Sequence, residues 1–310
     1  MSKAKRGIYA AAVSPFNADG SLNIPGLVAY CQHLMSSAGG CDGVAPLGTT
    51  SEGNSIAMAE RLAVPEAFAK AGIAPDRVII GTGASAAGDA LALTRAAVDA
   101  GYVNVLVLPP FYYKNPSDDG LYAYFASLVE RIGRDDLRMY LYHFPQMSAV
   151  PLSTALVTRL RRDFGPVIAG LKDSSGDFEQ SRAFVEATGG VAEDFDVLPS
   201  SEAMLWDGLD IGAAGIISGS TNAFGALSQA ALQAPEGGLR DAAMDAVRAA
   251  RAMAGKYPLM SAMKTIEAWR SGDDGWLRMA PPLVPLSEEQ KTSLRADLAA
   301  LGGAHIPAMA

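Results

Sequence analysis

The sequence has few of the residues that build disulfide frameworks and metal centres. Its 310 residues include only two cysteines, Cys31 and Cys41, and no CxxC motif. Two cysteines in a chain of this size are typical of reduced thiols in a cytoplasmic protein. The three histidines, His33, His143 and His305, lie far apart in the chain. We therefore expect neither a disulfide framework nor a zinc or iron site.

Excess positive charge and long apolar runs are also missing. The chain has 25 Lys and Arg residues against 33 Asp and Glu residues, which gives a net charge of −8. No apolar run reaches the roughly 18 residues that a membrane span requires. The basic start is followed by a short apolar stretch that ends at Pro15, which predicts a first strand and not a signal peptide. We expect a cytoplasmic protein with neither nucleic acid nor a membrane as its partner.

The motifs of several common enzyme classes are absent as well. No G-x-S-x-G motif indicates a serine hydrolase. Neither a Walker loop nor a G-x-G-x-x-G motif after the first strand indicates a nucleotide site. The glycines at positions 81 and 83 are typical of a tight turn. The glycine-containing segment 212–219 could imitate a phosphate loop, so a flavin- or phosphate-binding barrel stays an alternative.

The sequence does contain a regular alternation of two kinds of segment. Short apolar runs that predict buried strands lie at residues 7–13, 42–48, 77–81, 103–108, 137–142, 167–171, 195–198 and 213–218. Segments with helical periodicity lie between them, at 24–37, 57–71, 87–100, 120–132, 153–164, 178–188 and 203–211. Eight strand–helix units favour a closed (β/α)8 TIM barrel.

The strand pattern stops at about residue 226. Helical spacing continues over 226–255, 258–269 and 287–301, and the last segment opens with an S-x-x-Q capping box at Ser287. We expect a barrel domain over residues 1–225 and a helical C-terminal extension over 226–310.

One lysine, Lys172, follows the apolar run at 167–171. A lysine there is either a surface residue whose stem covers apolar groups or a buried residue with a chemical task. Catalytic groups of TIM barrels lie at the carboxyl ends of the strands. Burial disfavours the charged form of an amine, and a neutral amine attacks a ketone to form a Schiff base. Lys172 is therefore a candidate for chemistry on 2-oxo acids.

Other predicted strand ends supply the groups that such chemistry requires. The phenol of Tyr142 can move protons near the imine, and the hydroxyls of Thr49 and Thr50 can bind a carboxylate. Each residue alone is more typical of a core aromatic or a helix cap, so the argument rests on their convergence in one barrel. His143 should point to the opposite side of its strand from Tyr142 and have a structural role. Ser174 should lie on the same side as Lys172.

Together these motifs resemble the dihydrodipicolinate synthase / N-acetylneuraminate lyase family of class I pyruvate aldolases. The resemblance rests on G-T-T-x-E-G at 48–53, P-P-F-Y-Y-x-N-P at 109–116, Y-x-x-P at 142–145 and G-L-K-D-S-S-G-D at 170–177. It implies that Lys172 forms the Schiff base, that Tyr142 is the general acid and base, and that no cofactor beyond this covalent imine is required.

The resemblance also implies roles for further residues. Thr49 and Thr50 would bind the pyruvyl carboxylate and relay protons, and Ile217 would lie beside the pyruvyl group. Tyr113, or Tyr112 in the other register, would reach the active site of a neighbouring subunit. Members of the family are usually homotetramers built as dimers of dimers.

Departures from the family pattern bear on the substrate. Dihydrodipicolinate synthases carry an arginine where this chain has Met147, and a methionine cannot pair with the carboxylate of an aldehyde substrate. Sialic acid lyases carry a G-Y-D-E loop where this chain reads Ser200, Ser201, Glu202 and Ala203. Ser200, Ser201 and Glu202 are candidates for binding the hydroxyls of another sugar acid. Ser51 replaces a family glycine, which restricts the turn.

We therefore expect a lyase that cleaves a 2-keto-3-deoxy sugar acid into pyruvate and an aldehyde. A dehydratase acting on the same kind of substrate is an alternative, because the same imine can expel a hydroxyl group. A 4-hydroxy-tetrahydrodipicolinate synthase, which condenses pyruvate with aspartate semialdehyde, is a second alternative. A protein that binds a 2-oxo acid without catalysis is a third.

Overall fold

The computed structural model describes residues 3–302, and in this range the chain forms eight parallel strands in a barrel. Each of the eight predicted apolar runs overlaps one of them, and β5, β6 and β7 extend one or two residues beyond their runs. The strands are β1 Gly7–Ala10, β2 Gly43–Val44, β3 Ile80–Gly81, β4 Asn104–Val107, β5 Arg138–His143, β6 Ile168–Asp173, β7 Asp196–Pro199 and β8 Gly215–Ser218. Strand β2 is shorter than its apolar run because Pro46 offers no backbone donor to the ladder.

Two hydrogen-bonded sheets close into one cylinder. One sheet has the order β2-β1-β8 and the other the order β3-β4-β5-β6-β7. The amide of Ile79 donates to the Val44 carbonyl at 3.0 Å, and the amide of Ala214 donates to the Val197 carbonyl at 2.9 Å. These bonds join the sheets at both edges. The closed (β/α)8 barrel predicted from the sequence is thereby confirmed.

Alternating side chains of the strands fill the barrel, and the others pack against the helices. The interior cluster includes Tyr9, Ala45, Ile79, Leu106, Leu108, Tyr140, Tyr142, Leu198 and Ile217. The outward residues form a second, larger cluster with the helices. This alternation follows from the two-residue period of a strand.

Twelve α-helices surround and extend the barrel within residues 3–302. They are α1 Ile24–Leu34, α2 Met58–Lys70, α3 Ala87–Asp99, α4 Asp118–Ile132, α5 Pro145–Ser148, α6 Thr154–Phe164, α7 Phe178–Thr188, α8 Leu205–Asp210, α9 Thr221–Gln233, α10 Gly238–Ala254, α11 Leu259–Ser271 and α12 Glu288–Ala300. The periodic segments predict all of them except the one-turn helix α5. In the same described range, no helix is both long enough and apolar enough to cross a membrane.

The C-terminal region differs in one respect from the continuous helical segment expected at 226–255. Two helices, α9 and α10, occupy it because Pro235 and Gly237, which has a φ of 97°, interrupt the helical backbone. The predicted domain boundary after residue 225 falls inside α9, beside Phe224, where the helical geometry is broken. Ser287 forms the expected capping box at the start of α12. Residues 303–310, at the end of the predicted extension, lie outside the described part of the chain.

Charged groups close the amino-terminal end of the barrel. The buried carboxylate of Asp196 accepts hydrogen bonds from Arg6 Nε at 2.9 Å and from the Tyr140 hydroxyl at 3.0 Å. The Lys3 ammonium lies 3.0 Å from the same carboxylate. Burial, reinforced by Asp196, raises the pKa of Tyr140 above its usual range. A functional site is therefore expected at the other end of the barrel, where the carboxyl ends of the strands lie.

Candidate active site

A buried amine faces a phenol at the carboxyl end of the barrel. Lys172 on β6 and Tyr142 on β5 are register partners, and both side chains point into the barrel. Lys172 Nζ lies 3.1 Å from the Tyr142 hydroxyl oxygen and 4.3 Å from the centre of the phenol ring. Lys172 is only 4% exposed. The lysine lies inside β6 and not after its end, so the strand itself orients the amine.

A second hydroxyl, that of Thr49, extends this contact towards the second strand. The Tyr142 hydroxyl donates to Thr49 Oγ1 at 3.4 Å. The Phe144 ring stacks on the Tyr142 ring, with 5.8 Å between ring centroids and 25° between ring planes. The structure thus brings three predicted residues into one chain of contacts, Lys172–Tyr142–Thr49. Such a chain can carry a proton from an imine towards solvent.

The loop that carries Thr49 has an unusual backbone. Leu47 and Glu52 have φ angles of 60° and 59°, in the left-handed region that non-glycine residues seldom adopt. The amide of Glu52 donates to the Thr49 carbonyl, and the amide of Gly53 donates to the Gly48 carbonyl, both at 3.0 Å. The loop is therefore a compact turn whose two ends are both strained.

Glycine at the end of β3 allows this loop to approach the barrel. A Cβ atom on Gly81 would lie 2.5 Å from the Leu47 carbonyl oxygen. A small cavity forms where the loop meets the strand ends. Its lining residues come from the second, third, fourth and fifth strand ends: Leu47, Gly48, Thr49, Asn54, Gly81, Gly83, Leu106, Leu108 and Tyr142. Tyr142 and Thr49 therefore line a pocket whose remaining lining, apart from Asn54, consists of leucines and glycines.

Three further predicted residues lie on or after strands β2, β6 and β8, outside the lining of this cavity. Ile217 is buried on β8 and belongs to the barrel interior with Tyr142. Thr50 packs against the loop after β8, since a Cβ on Gly219 would lie 3.3 Å from its hydroxyl. Ser174 follows β6, and its amide donates to the His143 carbonyl at 2.8 Å.

The segment after β7 is placed differently from the sequence expectation. Ser201 caps a 3-10 turn by accepting the Ala203 amide at 3.3 Å. The sequence predicts a substrate contact for Glu202, but this side chain is fully buried and accepts a hydrogen bond from Ser218 Oγ at 2.6 Å. Ser218 lies on the opposite face of β8 from Ile217. The structure therefore directs the Glu202 carboxylate away from the Lys172 amine, and Ser200 and Ser201 are the polar groups left at this strand end.

Two tyrosines after β4 project from the same end of the molecule. Tyr112 and Tyr113 are 74% and 78% exposed, and their rings meet edge to face at a centroid distance of 5.2 Å. Met147 lies on α5, five residues after Tyr142, and is 55% exposed. The exposed aromatic pair is large enough to contact another molecule.

His143 points outward from β5, as the strand period predicts. Its Nδ1 accepts the amide of Leu152 at 3.0 Å, and its ring packs edge-on against Phe184. Burial lowers the pKa of His143, and the Asp173 carboxylate partly opposes this shift. A neutral ring is required for Nδ1 to accept a hydrogen bond. His143 thus supports the β5–α6 connection and lies outside the pocket.

The structure also contains a buried ion pair beside the site, which the sequence does not predict. Glu52 in the Thr49 loop contacts Lys264 on α11 at 2.7 Å. The two residues are 212 positions apart, so no local spacing could have paired them. Within residues 3–302, no group of three or more His, Cys, Asp or Glu side chains could hold a metal ion.

Fold and site together define a TIM barrel whose buried lysine faces a tyrosine at the carboxyl ends of the strands. This chain belongs to the Dihydrodipicolinate synthetase family, which matches residues 4–301. It is 37% identical over 294 residues to an uncharacterized DapA-like lyase of Chloroflexus aurantiacus, covering 94% of this chain and 95% of that one. It is 28% identical over 297 residues to the 4-hydroxy-tetrahydrodipicolinate synthase of Bacillus subtilis, covering 95% and 98%. The protein is a lyase of this family.

Solved structures agree with the assignment. The crystal structure of dihydrodipicolinate synthase from Agrobacterium tumefaciens superposes with a TM-score of 0.84 at 33% identity, covering 96% of this chain and all of that one. YagE, a family member from E. coli K12 crystallised with pyruvate, superposes with a TM-score of 0.84 at 28% identity, covering 96% of this chain and 98% of that one.

Proposed function

We propose that the protein is a Schiff-base lyase that cleaves a 2-keto-3-deoxy sugar acid into pyruvate and an aldehyde. The observation that carries the proposal is the buried Lys172 amine 3.1 Å from the Tyr142 hydroxyl. The similarity to YagE, which was crystallised with pyruvate, supports pyruvate as the common product. The amine itself supplies the covalent chemistry, so no cofactor or metal ion enters the proposal.

Imine formation is the first step. The neutral Lys172 amine adds to the C2 ketone and gives a carbinolamine. The Tyr142 phenol then gives its proton to the departing hydroxyl group, which leaves as water. A protonated imine and a tyrosinate remain. The 3.1 Å separation places the proton donor beside the nitrogen where this group departs.

Carbon–carbon cleavage follows from the same pair. The tyrosinate removes the proton of the C4 hydroxyl, the bond between C3 and C4 breaks, and its electrons move into the imine. An aldehyde leaves and a neutral enamine of pyruvate remains. Tyr142 then protonates C3, and water hydrolyses the imine to release pyruvate and the free amine. Thr49 hydrogen-bonds to Tyr142 throughout and connects its hydroxyl with the loop.

Binding of the 2-oxo acid uses the surrounding strand ends. The hydroxyls of Thr49 and Thr50 and the amides of their turn bind the substrate carboxylate. Ile217 packs against the pyruvyl carbon atoms, and Ser174 binds from the end of β6. This arrangement binds the part of the substrate that becomes pyruvate. The part that becomes the aldehyde then lies towards the open end of the site, its mouth.

The mouth of the site favours a neutral aldehyde over an acidic one. Met147 stands where dihydrodipicolinate synthases carry an arginine, and its thioether cannot pair with a carboxylate. Ser200 and Ser201 can bind hydroxyl groups of a sugar chain. The synthase activity named for several relatives stays a second candidate because those relatives include chains 28% identical over nearly the full length. A sugar-acid dehydratase would use the same imine.

We also propose a cytoplasmic homotetramer built from two tight dimers. The support is the exposure of the aromatic pair Tyr112 and Tyr113. In the proposed dimer Tyr113, or Tyr112 in its place, reaches the active site of the adjacent subunit. Burial of two large rings against a partner would remove a substantial apolar area from water.

Pyruvate release from a panel of substrates tests the function. Purified protein is incubated with several 2-keto-3-deoxy sugar acids, and lactate dehydrogenase with NADH reports pyruvate. Consumption of a sugar acid without pyruvate would identify a dehydratase. Consumption of pyruvate only with aspartate semialdehyde would identify the synthase. Turnover of none of these substrates would favour the non-catalytic alternative, and absorbance beyond the aromatic band would favour a flavin-binding barrel.

A further inference from the structure

A buried ion pair joins the C-terminal extension to the loop that carries Thr49. Lys264 Nζ on α11 lies 2.7 Å from Glu52 Oε1, and both side chains are 0% exposed. The second oxygen, Glu52 Oε2, accepts the amide of Ala280 at 2.6 Å. Lys264 also lies over the Phe16 ring, 4.4 Å from its centroid. All of these partners are fixed parts of the core.

Such a pair is poorly explained by stability alone. Taking two charges out of water is unfavourable, and well-packed apolar residues often replace a buried ion pair without loss of stability. Burial lowers the pKa of Lys264, and the adjacent Glu52 carboxylate opposes that shift. Neither group takes part in the steps described for Lys172 and Tyr142. The placement of the pair suggests a different use.

Glu52 forms one end of the strained turn around Thr49. Its left-handed backbone is held because both carboxylate oxygens bind groups of the extension. The other end, Leu47, is held because its amide donates to Ser51 Oγ at 2.9 Å, while Ser51 donates to the Ala12 carbonyl. Strained residues persist only where surrounding contacts fix them. Thr49 lies between these two anchored positions.

The contact that this turn provides is sensitive to small movements. Thr49 Oγ1 lies 3.4 Å from the Tyr142 hydroxyl, which is close to the upper limit for a hydrogen bond. A further displacement of a few tenths of an ångström would break it. The Glu52 amide donates to the Thr49 carbonyl at 3.0 Å, so a shift of Glu52 moves Thr49 directly.

We propose that Lys264 is a positioning residue that acts through Glu52 to hold the Thr49 hydroxyl against Tyr142. The C-terminal extension thereby sets the geometry of the proton relay in the barrel. The inference rests on the proposed function, because it assigns the Tyr142–Thr49 contact a part in proton transfer.

Exchange of the pyruvate methyl protons with D2O isolates the relay without an aldehyde. In the imine, the tyrosinate removes a C3 proton, the electrons move into the imine, and Tyr142 returns a deuteron after exchange through Thr49. NMR measures the exchange rate at several pyruvate concentrations. Borohydride reduction followed by mass spectrometry of the Lys172 peptide measures imine formation separately.

For the variant Lys264→Met we expect normal trapping of pyruvate on Lys172 after long incubation. The maximal exchange rate should fall by about 10- to 100-fold, as for a misplaced catalytic group. The KM for pyruvate should rise by a smaller factor than the exchange rate falls, because Thr49 is the one contact of the Tyr142 hydroxyl in this turn but only one of several groups that bind the substrate. The matched control is Lys256→Met, which removes an exposed lysine paired with Asp297 at 3.1 Å in the same extension. Its exchange should equal that of the unmodified protein.

The double variant Glu52→Gln with Lys264→Met covers the case in which the single variant fails to fold. It leaves no unpaired buried charge, and glutamine retains an acceptor for the Ala280 amide. A folded double variant with slow exchange supports the proposal. Exchange at the unmodified rate in either folded variant overturns it. Absence of a Lys172 adduct in the unmodified protein would instead overturn the proposed function.

Discussion

The variant Tyr142→Phe removes a single oxygen atom from the site and preserves most of the packing. The phenyl ring would keep its stacking on Phe144 and its position beneath the Lys172 amine. Two contacts would be lost, the one of 3.1 Å to Lys172 and the one of 3.4 Å to Thr49. The variant therefore separates the chemistry of the hydroxyl from the support that the ring gives.

The expected losses differ greatly for stability and for catalysis. Two neutral or singly charged hydrogen bonds contribute about 1–2 kcal/mol to the free energy of unfolding. Removal of a general acid and base lowers a rate by about 10²- to 10⁴-fold. The rate of pyruvate proton exchange should fall by that factor, while the urea midpoint changes only slightly.

Tyr140→Phe is the matched control. Tyr140 also lies on β5 and points into the barrel, but its hydroxyl bonds Asp196 at the amino-terminal end. We expect a comparable change in stability and exchange within about threefold of the unmodified protein. Equal exchange rates for Tyr142→Phe and the unmodified protein would refute the assignment of Tyr142 as the proton-transfer group.

Three other predictions concern pH, specificity and stability. Because burial lowers the pKa of His143, the unfolded state binds more protons than the folded state below about pH 6.5, and the free energy of unfolding falls there. His143→Asn keeps an acceptor for the Leu152 amide and should weaken this pH dependence, as measured by urea unfolding at several pH values. Met147→Arg should lower the KM for aspartate semialdehyde in condensation with pyruvate by about tenfold, through a charged hydrogen bond to its carboxylate. Asp196→Ala should reduce the free energy of unfolding by about 1–3 kcal/mol, measured by urea unfolding, because the buried Tyr140 hydroxyl loses its acceptor.

Each of these predictions has a result that would contradict it. If the free energy of unfolding of His143→Asn depends on pH as strongly as that of the unmodified protein, a group other than His143 causes this dependence. An equal decrease in the KM for aspartate semialdehyde in Met147→Leu would show that the charge of the arginine does not cause the decrease. Normal stability of Asp196→Ala would mean that the charged groups closing the barrel contribute little.

The barrel could be predicted from the sequence because its signals are local. Apolar runs and helical periods mark each element, and Ser153 caps the start of α6 by accepting the Leu156 amide. The exact ends of the strands do not follow from the apolar runs. Lys172 follows the run at 167–171 but lies within β6, because pairing with β5 continues to Asp173. Pairing between strands depends on the neighbour and not on the run alone.

The parts of the site that could not be predicted depend on contacts distant in sequence. Glu52 and Lys264 meet only after the extension packs on the barrel. Glu202 follows a strand end, yet a 3-10 turn and Ser218 direct its carboxylate outward. Sequence spacing places such residues near a site but does not give the direction of their side chains.

Reduction of the pyruvate imine tests the central claim most directly. The protein is incubated with pyruvate and sodium borohydride, digested, and sequenced by mass spectrometry. We predict one reduced pyruvyl group, attached to Lys172, and its loss in Lys172→Ala. No adduct, or an adduct on another lysine such as the exposed Lys114, would contradict the account.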